Sequence, residues 1–349
     1  IVAHSNAIVH IVIEQEKKEM HRLVQLFSIV FGLFYFFTSS SFAADKLPVF
    51  VSIVPQKYFV QQIGKDLVAV QAMVQPGASP ATYEPKPQQM SDLSAAKLYF
   101  AIGVPFENAW LEKIAAANPD MRVVHTDHGI DKRAMAAHHH HHDKHAEEHH
   151  DTDHHEAEHG HEKDGHHEEG EHDHHAEAEH DEDHHEHAGL DPHIWLSPPL
   201  VKIQARNILD ALQKADPAHG SVYEANFKAF TAQIDQLDAN LKKTFAGKKG
   251  LQFMVFHPAW GYFADTYGLE QVPIEIEGKD PKPAQLRELI EHARENDIKV
   301  VFVQPQFSTK SAELVAREIG GQVAFANPLA EDWMANLGEV ADKFESALK

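Results

Sequence analysis

Between Ala137 and His187 the chain is almost entirely His, Asp and Glu. His138 to His142 run unbroken, and short His-His-Glu repeats follow at Asp153–Glu156, Gly165–Glu168 and Asp183–Glu186. This stretch holds 21 of the 30 histidines. With almost no apolar side chains it has nothing to offset the entropy of ordering itself, so it cannot join a core. Any fold must be built by the segments on either side, with this stretch set between them as a mobile loop. Imidazole and carboxylate are ligands for borderline divalent ions such as zinc, so the loop is expected to collect metal. An expression tag at His138–His142 would not continue through the acidic repeats that follow.

The acidity of the chain is local. Of a net charge of −22, the 19 acidic and 2 basic residues between Asp143 and Glu186 account for most. No basic patch or stripe exists, so nucleic-acid binding is not expected. Cysteine is absent. That removes disulfides, thiolate metal sites and a lipid-modified N-terminal Cys, and leaves only N and O ligands.

Met20 opens a second pattern. His21-Arg22 gives a short positive region, Leu23 to Phe37 an apolar run, and Ser39 to Ala44 small residues. The succession reads as an export signal over 20–43, cleaved after Ala43, with residues 1–19 upstream of the natural start. The apolar run is short for a bilayer span. Export without a lipobox Cys implies the periplasm of a diderm bacterium.

In the mature chain, β-branched runs bounded by Pro and Gly alternate with amphipathic segments. Strands are expected at Leu47–Val54, Leu67–Gln75, Lys97–Gly103 and Met121–His125. Helices are expected at Gln56–Gly64, Pro87–Ala96 and Phe106–Ala117. After the loop come helices at Pro198–Lys214 and Pro217–Phe245, the second with Tyr223, Phe227, Phe230, Ile234, Leu237 and Leu241 on one stripe. Strands at Leu251–Phe256, Leu269–Ile276, Val300–Gln304 and Gln322–Ala326 then alternate with helices at Trp260–Tyr267, Pro283–Glu295, Ser308–Ile319 and Glu331–Leu348. Two βα runs joined by one long helix imply an α/β fold of two lobes with parallel sheets. The expected division is a first lobe over 44–136 and 189–216, the loop over 137–188, a connecting helix over 217–246 and a second lobe over 247–349. In open parallel sheets, ligands bind beyond the carboxyl ends of strands.

Four segments fall at such ends or at lobe junctions: Pro76–Pro85, Asp191–Pro198 (Asp-Pro-His-Ile-Trp-Leu-Ser-Pro), Phe256–Phe263 (Phe-His-Pro-Ala-Trp-Gly-Tyr-Phe) and Asn327–Ala330 (Asn-Pro-Leu-Ala). In this order, with a His-rich loop directly before Asp-Pro-His-Ile-Trp, they resemble the zinc and manganese solute-binding proteins of bacterial ABC importers, the ZnuA/TroA-like family. The resemblance runs from about Val51 to the C-terminus. It implies one metal held in the cleft between lobes, with His193 and His257 matching the second and third histidine ligands.

The chain departs from that pattern twice. Where the family has its first His stands Ala81, which cannot bind metal. Where it has Asp before Pro-Leu stands Asn327, whose neutral carbonyl suits zinc less well than a carboxylate. Two neutral ligands leave the ion's charge uncompensated. A further ligand is therefore expected from Glu84, His128, Glu275, Gln304 or Asn327, from His125, from the loop, or from water. Glu84 also reads as a helix N-terminal charge, and a lone His such as His128 is more often structural. Trp195 and Trp260 read as core packing, and also as shields against water.

The function expected from these residues is a periplasmic, monomeric zinc receptor that binds and releases metal for an inner-membrane ABC permease. A cysteine-free two-His set is open to manganese or nickel as well. A periplasmic zinc buffer or chaperone is the rival from another class. A zinc hydrolase is disfavoured, since no expected helix carries His-Glu-x-x-His and Gly-x-Ser-x-Gly does not occur.

Overall fold

Proline sets the rhythm of this chain. Five helices start on a proline at one of their first two positions, where the ring's fixed φ suits a helix and its missing N–H costs nothing. The computed structural model describes residues 17–22, 46–135, 189–276 and 278–348. The apolar part of the expected export signal and the His-rich stretch lie outside the described residues. Residues 17–22 are helical. Among the described residues no helix is long and apolar enough to cross a membrane.

The first lobe contains β1 (Leu47–Val51), α1 (Val54–Gly64), β2 (Val68–Ala72), α2 (Pro87–Asp92), β3 (Leu98–Ala101), α3 (Pro105–Ala117) and β4 (Arg122–His125). Its sheet has the order β2-β1-β3-β4, and the β1–β3 and β3–β4 pairs are parallel. After the loop come α4 (Pro198–Ala215) and the 25-residue α5 (Gly220–Thr244). The second lobe contains β5 (Gln252–Val255), α6 (Gly261–Tyr267), β6 (Glu270–Pro273), α7 (Pro283–Glu295), β7 (Val300–Val303), α8 (Lys310–Glu318), β8 (Gln322–Phe325) and α9 (Trp333–Ala347). Its sheet is also parallel, with the equivalent order β6-β5-β7-β8.

The expected elements are all present, with strands trimmed at one or both ends. The run at Leu67–Gln75 is strand over Val68–Ala72, and the helix expected from Pro217 begins with a 3-10 turn before Gly220. Past the strand, Met73 and Val74 are buried and still donate to Val51 O and Ser52 O at 2.8 and 2.9 Å.

Two helices hold the lobes together. Helix α5 buries Tyr223, Phe227, Phe230, Ile234 and Leu241, packing on α1, α4 and α9. Helix α9 touches both cores: Trp333 meets Phe59 of the first lobe edge-on at 5.2 Å, and Phe344 meets Phe253 of the second at 4.4 Å. Burying rings of this size contributes on the order of 1.5–3 kcal/mol each.

Candidate metal centre

The carboxyl ends of the second lobe's strands converge on one cleft. His257 and Glu275 each lie two residues past their strands, Gln304 directly follows β7, and Gln306 and Asn327 stand just beyond β7 and β8. From the other side comes His193, at the start of the 3-10 turn Ile194–Leu196 that leads into α4. The two imidazoles meet with ring centroids 5.2 Å apart, nearly edge to face.

Both rings are anchored in the same way. Asp191 Oδ1 accepts from His193 Nδ1 at 2.7 Å and from the His193 backbone N–H at 3.0 Å. Glu275 Oε1 accepts from His257 Nδ1 at 2.6 Å. Asp191 and Glu275 are only 1% and 6% exposed. A carboxylate at Nδ1 fixes the proton there and leaves the lone pair on Nε2, the tautomer a metal ligand needs, and it raises the ring's basicity. Burial lowers the His193 pKa below the usual imidazole value, against the opposing pull of Asp191. The ring is thus neutral under conditions in which it would bind metal.

The surrounding groups fix these positions further. The amide of Gln304 grips the His257 backbone, its Nε2 donating to the carbonyl at 2.7 Å and its Oε1 accepting from the N–H at 3.3 Å. Phe307 stacks on His257 with centroids 4.9 Å apart. Trp195 lies 5.1 Å from His193, donates its indole N–H to Pro328 O at 2.7 Å, and accepts at its own carbonyl from the Trp333 indole at 2.7 Å. Trp260 is fully buried against Phe263 and Phe344. Trp195 therefore both packs and lines the cavity, whereas Trp260 packs.

His193, His257 and Trp195 line a cavity of about 60 Å³ together with Ala81, Met135, Gln306 and a mostly apolar rim. That is room for an ion and a few waters. Neither Glu84 nor His128 is among the lining residues; both are exposed. The His128 carbonyl accepts from Asn207, and exposed His125 lies 3.7 Å from Asp127. Glu275 and Gln304 stand behind His257. Asn327 Oδ1 accepts from Leu329 N–H at 3.0 Å, and its backbone carbonyl from Asn336. Among the described residues no cluster of three or more His, Asp or Glu is arranged to hold an ion. The structure thus brings two of the expected ligands together at the cleft, with several of the others as supports.

Sequence reading assigned no role to Asp191, Arg133 or Gln306. Asp191 carried a signal in its place two residues before His193. Arg133 carried none. It lies after β4 and its side chain crosses to the second lobe. Its NH1 donates to Gly261 O at 3.0 Å and to Asp265, and its Nε lies 4.0 Å from Asp191 Oδ2. Tyr262 OH accepts from the Arg133 N–H and donates to Asp191 O at 3.0 Å. Burial pushes that phenol up to about 12, so it remains a donor. A Cβ at Gly261 would sit 3.1–3.2 Å from the Asp191 and Arg133 side chains, which would have to shift by a few tenths of an ångström to admit it. Beside it, Ala134 bridges Leu190 antiparallel, and Met135 N–H reaches Gly189 O at 3.0 Å, so a short stem closes the base of the His-rich stretch.

Comparison with known proteins agrees with this geometry. Residues 49–347 match the family model described as the periplasmic component A of the zinc-uptake complex, ZnuA. The high-affinity zinc uptake system protein ZnuA of Bacillus subtilis is 30% identical over 83% of this chain and 81% of its own. A crystal structure of ZnuA is 39% identical, superposes with a TM-score of 0.71, and covers 87% of this chain and 100% of that one. A zinc-bound deletion mutant of ZnuA matches equally, at 39% identity and a TM-score of 0.71 over 87% of this chain and 99% of that one. With the fold, the matched length and the paired histidines in agreement, this chain belongs to the ZnuA family of periplasmic zinc-uptake components.

Proposed function

We propose that this chain is an exported periplasmic receptor that binds zinc between its lobes and delivers it to the membrane permease of an ABC importer, without bond chemistry. The observation that carries this reading is the pair His193 and His257, one from each side of the cleft, with Nδ1 of each held by a buried carboxylate. Two lone pairs presented to one small cavity make a preorganised binding site, and imidazole is the dominant zinc ligand where thiolate is absent. Manganese is the weaker reading, because it favours carboxylate and water oxygens. The His-rich stretch is read from its imidazole and carboxylate composition as an accessory that binds several ions weakly.

Zinc titration of the full chain is the test. One tight step and several weak ones are expected. His257→Ala removes the tight step, while deleting residues 137–187 removes the weak steps and keeps the tight one. Loss of nearly all binding on that deletion would instead identify a zinc buffer whose capacity lies in the loop.

A further inference from the structure

Two neutral imidazoles leave a zinc ion's charge and two of its four tetrahedral positions unmet. Position 81, facing the same cavity, offers only a methyl group. Among the cavity's lining residues one buried side-chain polar atom has no hydrogen-bond partner, the oxygen of Gln306. Its direction follows from a chain of hydrogen bonds. Leu329 N–H can only donate, so Asn327 Oδ1, at 3.0 Å, must accept. An accepting oxygen requires a donor from Gln306, which therefore turns its Nε2 toward Asn327 at 3.4 Å. The Gln306 Oε1 is left shielded from solvent and without a hydrogen-bond partner. A buried unpaired carbonyl is unfavourable and uncommon in native proteins. Gln306 lines the same cavity as both histidines.

Resting on the zinc-receptor reading, we infer that the Gln306 amide oxygen is the third protein ligand of the bound ion. It occupies the role that Ala81 cannot fill, and Asn327 positions it. An amide oxygen is neutral, so the bound ion keeps its full charge. That makes for a weaker grip than a carboxylate would give, and easier release.

The test uses the full-length chain loaded with half an equivalent of cobalt(II) or zinc, so that metal fills the tight step first. Gln306→Ala is expected to weaken the tight step by roughly tenfold or more, and Gln306→Glu to strengthen it. Both should change the visible d–d absorption of the cobalt-loaded protein. The metal-free Gln306→Ala protein should melt no lower than wild type, because a merely structural glutamine would be missed on removal and a strained ligand would not. The inference is overturned if both variants keep wild-type affinity and cobalt spectrum while His257→Ala abolishes the tight step, which would leave Gln306 to a water. If His257→Ala leaves the tight step intact, the cleft-site reading falls with it.

Discussion

Removing the carboxylate behind His257 separates two roles that Glu275 could play. The structure puts its Oε1 2.6 Å from His257 Nδ1, across the ring from Nε2, the nitrogen proposed to bind metal, and buries all but 6% of the residue. In that place it orients the ring and fixes its tautomer without touching the ion. Loss of such a support weakens metal binding by about 10–100-fold, or on the order of 1.4–2.8 kcal/mol. Glu275→Ala should therefore fall in that range. Glu275→Gln keeps an acceptor for Nδ1–H and gives up only the charge, so it should lose no more than about tenfold, since a neutral acceptor is roughly half as strong as an ionised one. The assay is competition for zinc against a chelator of known affinity, at substoichiometric metal so that only the tight step is read. His257→Ala serves as the floor. The reasoning is refuted from one side if Glu275→Ala stays within twofold of wild type. It is refuted from the other if Glu275→Gln drops as far as His257→Ala, which would make the carboxylate a direct ligand.

Other outcomes follow from the same geometry. Ala81→His should tighten zinc binding by at least tenfold, or about 1.4 kcal/mol, because position 81 lines the cavity that His193 and His257 share; titration showing no gain would mean that the backbone there no longer aims at the ion. Arg133→Ala should lower unfolding stability by on the order of 1–2 kcal/mol, discounted because the Asp265 end is exposed, with Arg133→Lys recovering only part of it in denaturant melts, since an ammonium lacks the fork that reaches several acceptors. Trp333→Phe removes the donor to Trp195 O and should cost about 1–3 kcal/mol by leaving a buried carbonyl unpaired; a loss below half of the lower figure would show that the two indoles are not coupled.

Much of this was readable before any coordinates. The βα alternation specified both sheets, because β-branched runs bounded by Pro and Gly leave few other foldings for such segments. His193 and His257 stood out as imidazoles within ordered motifs, one at a lobe junction and one past a strand end. Glu275 and Gln304 were visible as polar residues in the right places, but distance alone separates a ligand from a residue holding a ligand, and distance is not in the sequence. Gln306 carried no signal. An amide is a poor metal ligand by type, and its meaning comes from Leu329 and Asn327, which dictate which way it turns. Arg133 was hidden for another reason: its partners, Gly261 and Asp265, lie in the other lobe, and no local pattern records a contact of that span.

The stem at Ala134 and Leu190 has a consequence of its own. The chain leaves the fold at Met135 and re-enters it beside that point at Gly189, so the length of the segment between them enters stability through loop-closure entropy. That entropy changes by about 0.6 kcal/mol for each doubling of length. A lineage can therefore lengthen, shorten or recompose this segment over generations while the lobes keep their stability. On the proposed reading, its content of metal ligands can change without any change in the cleft.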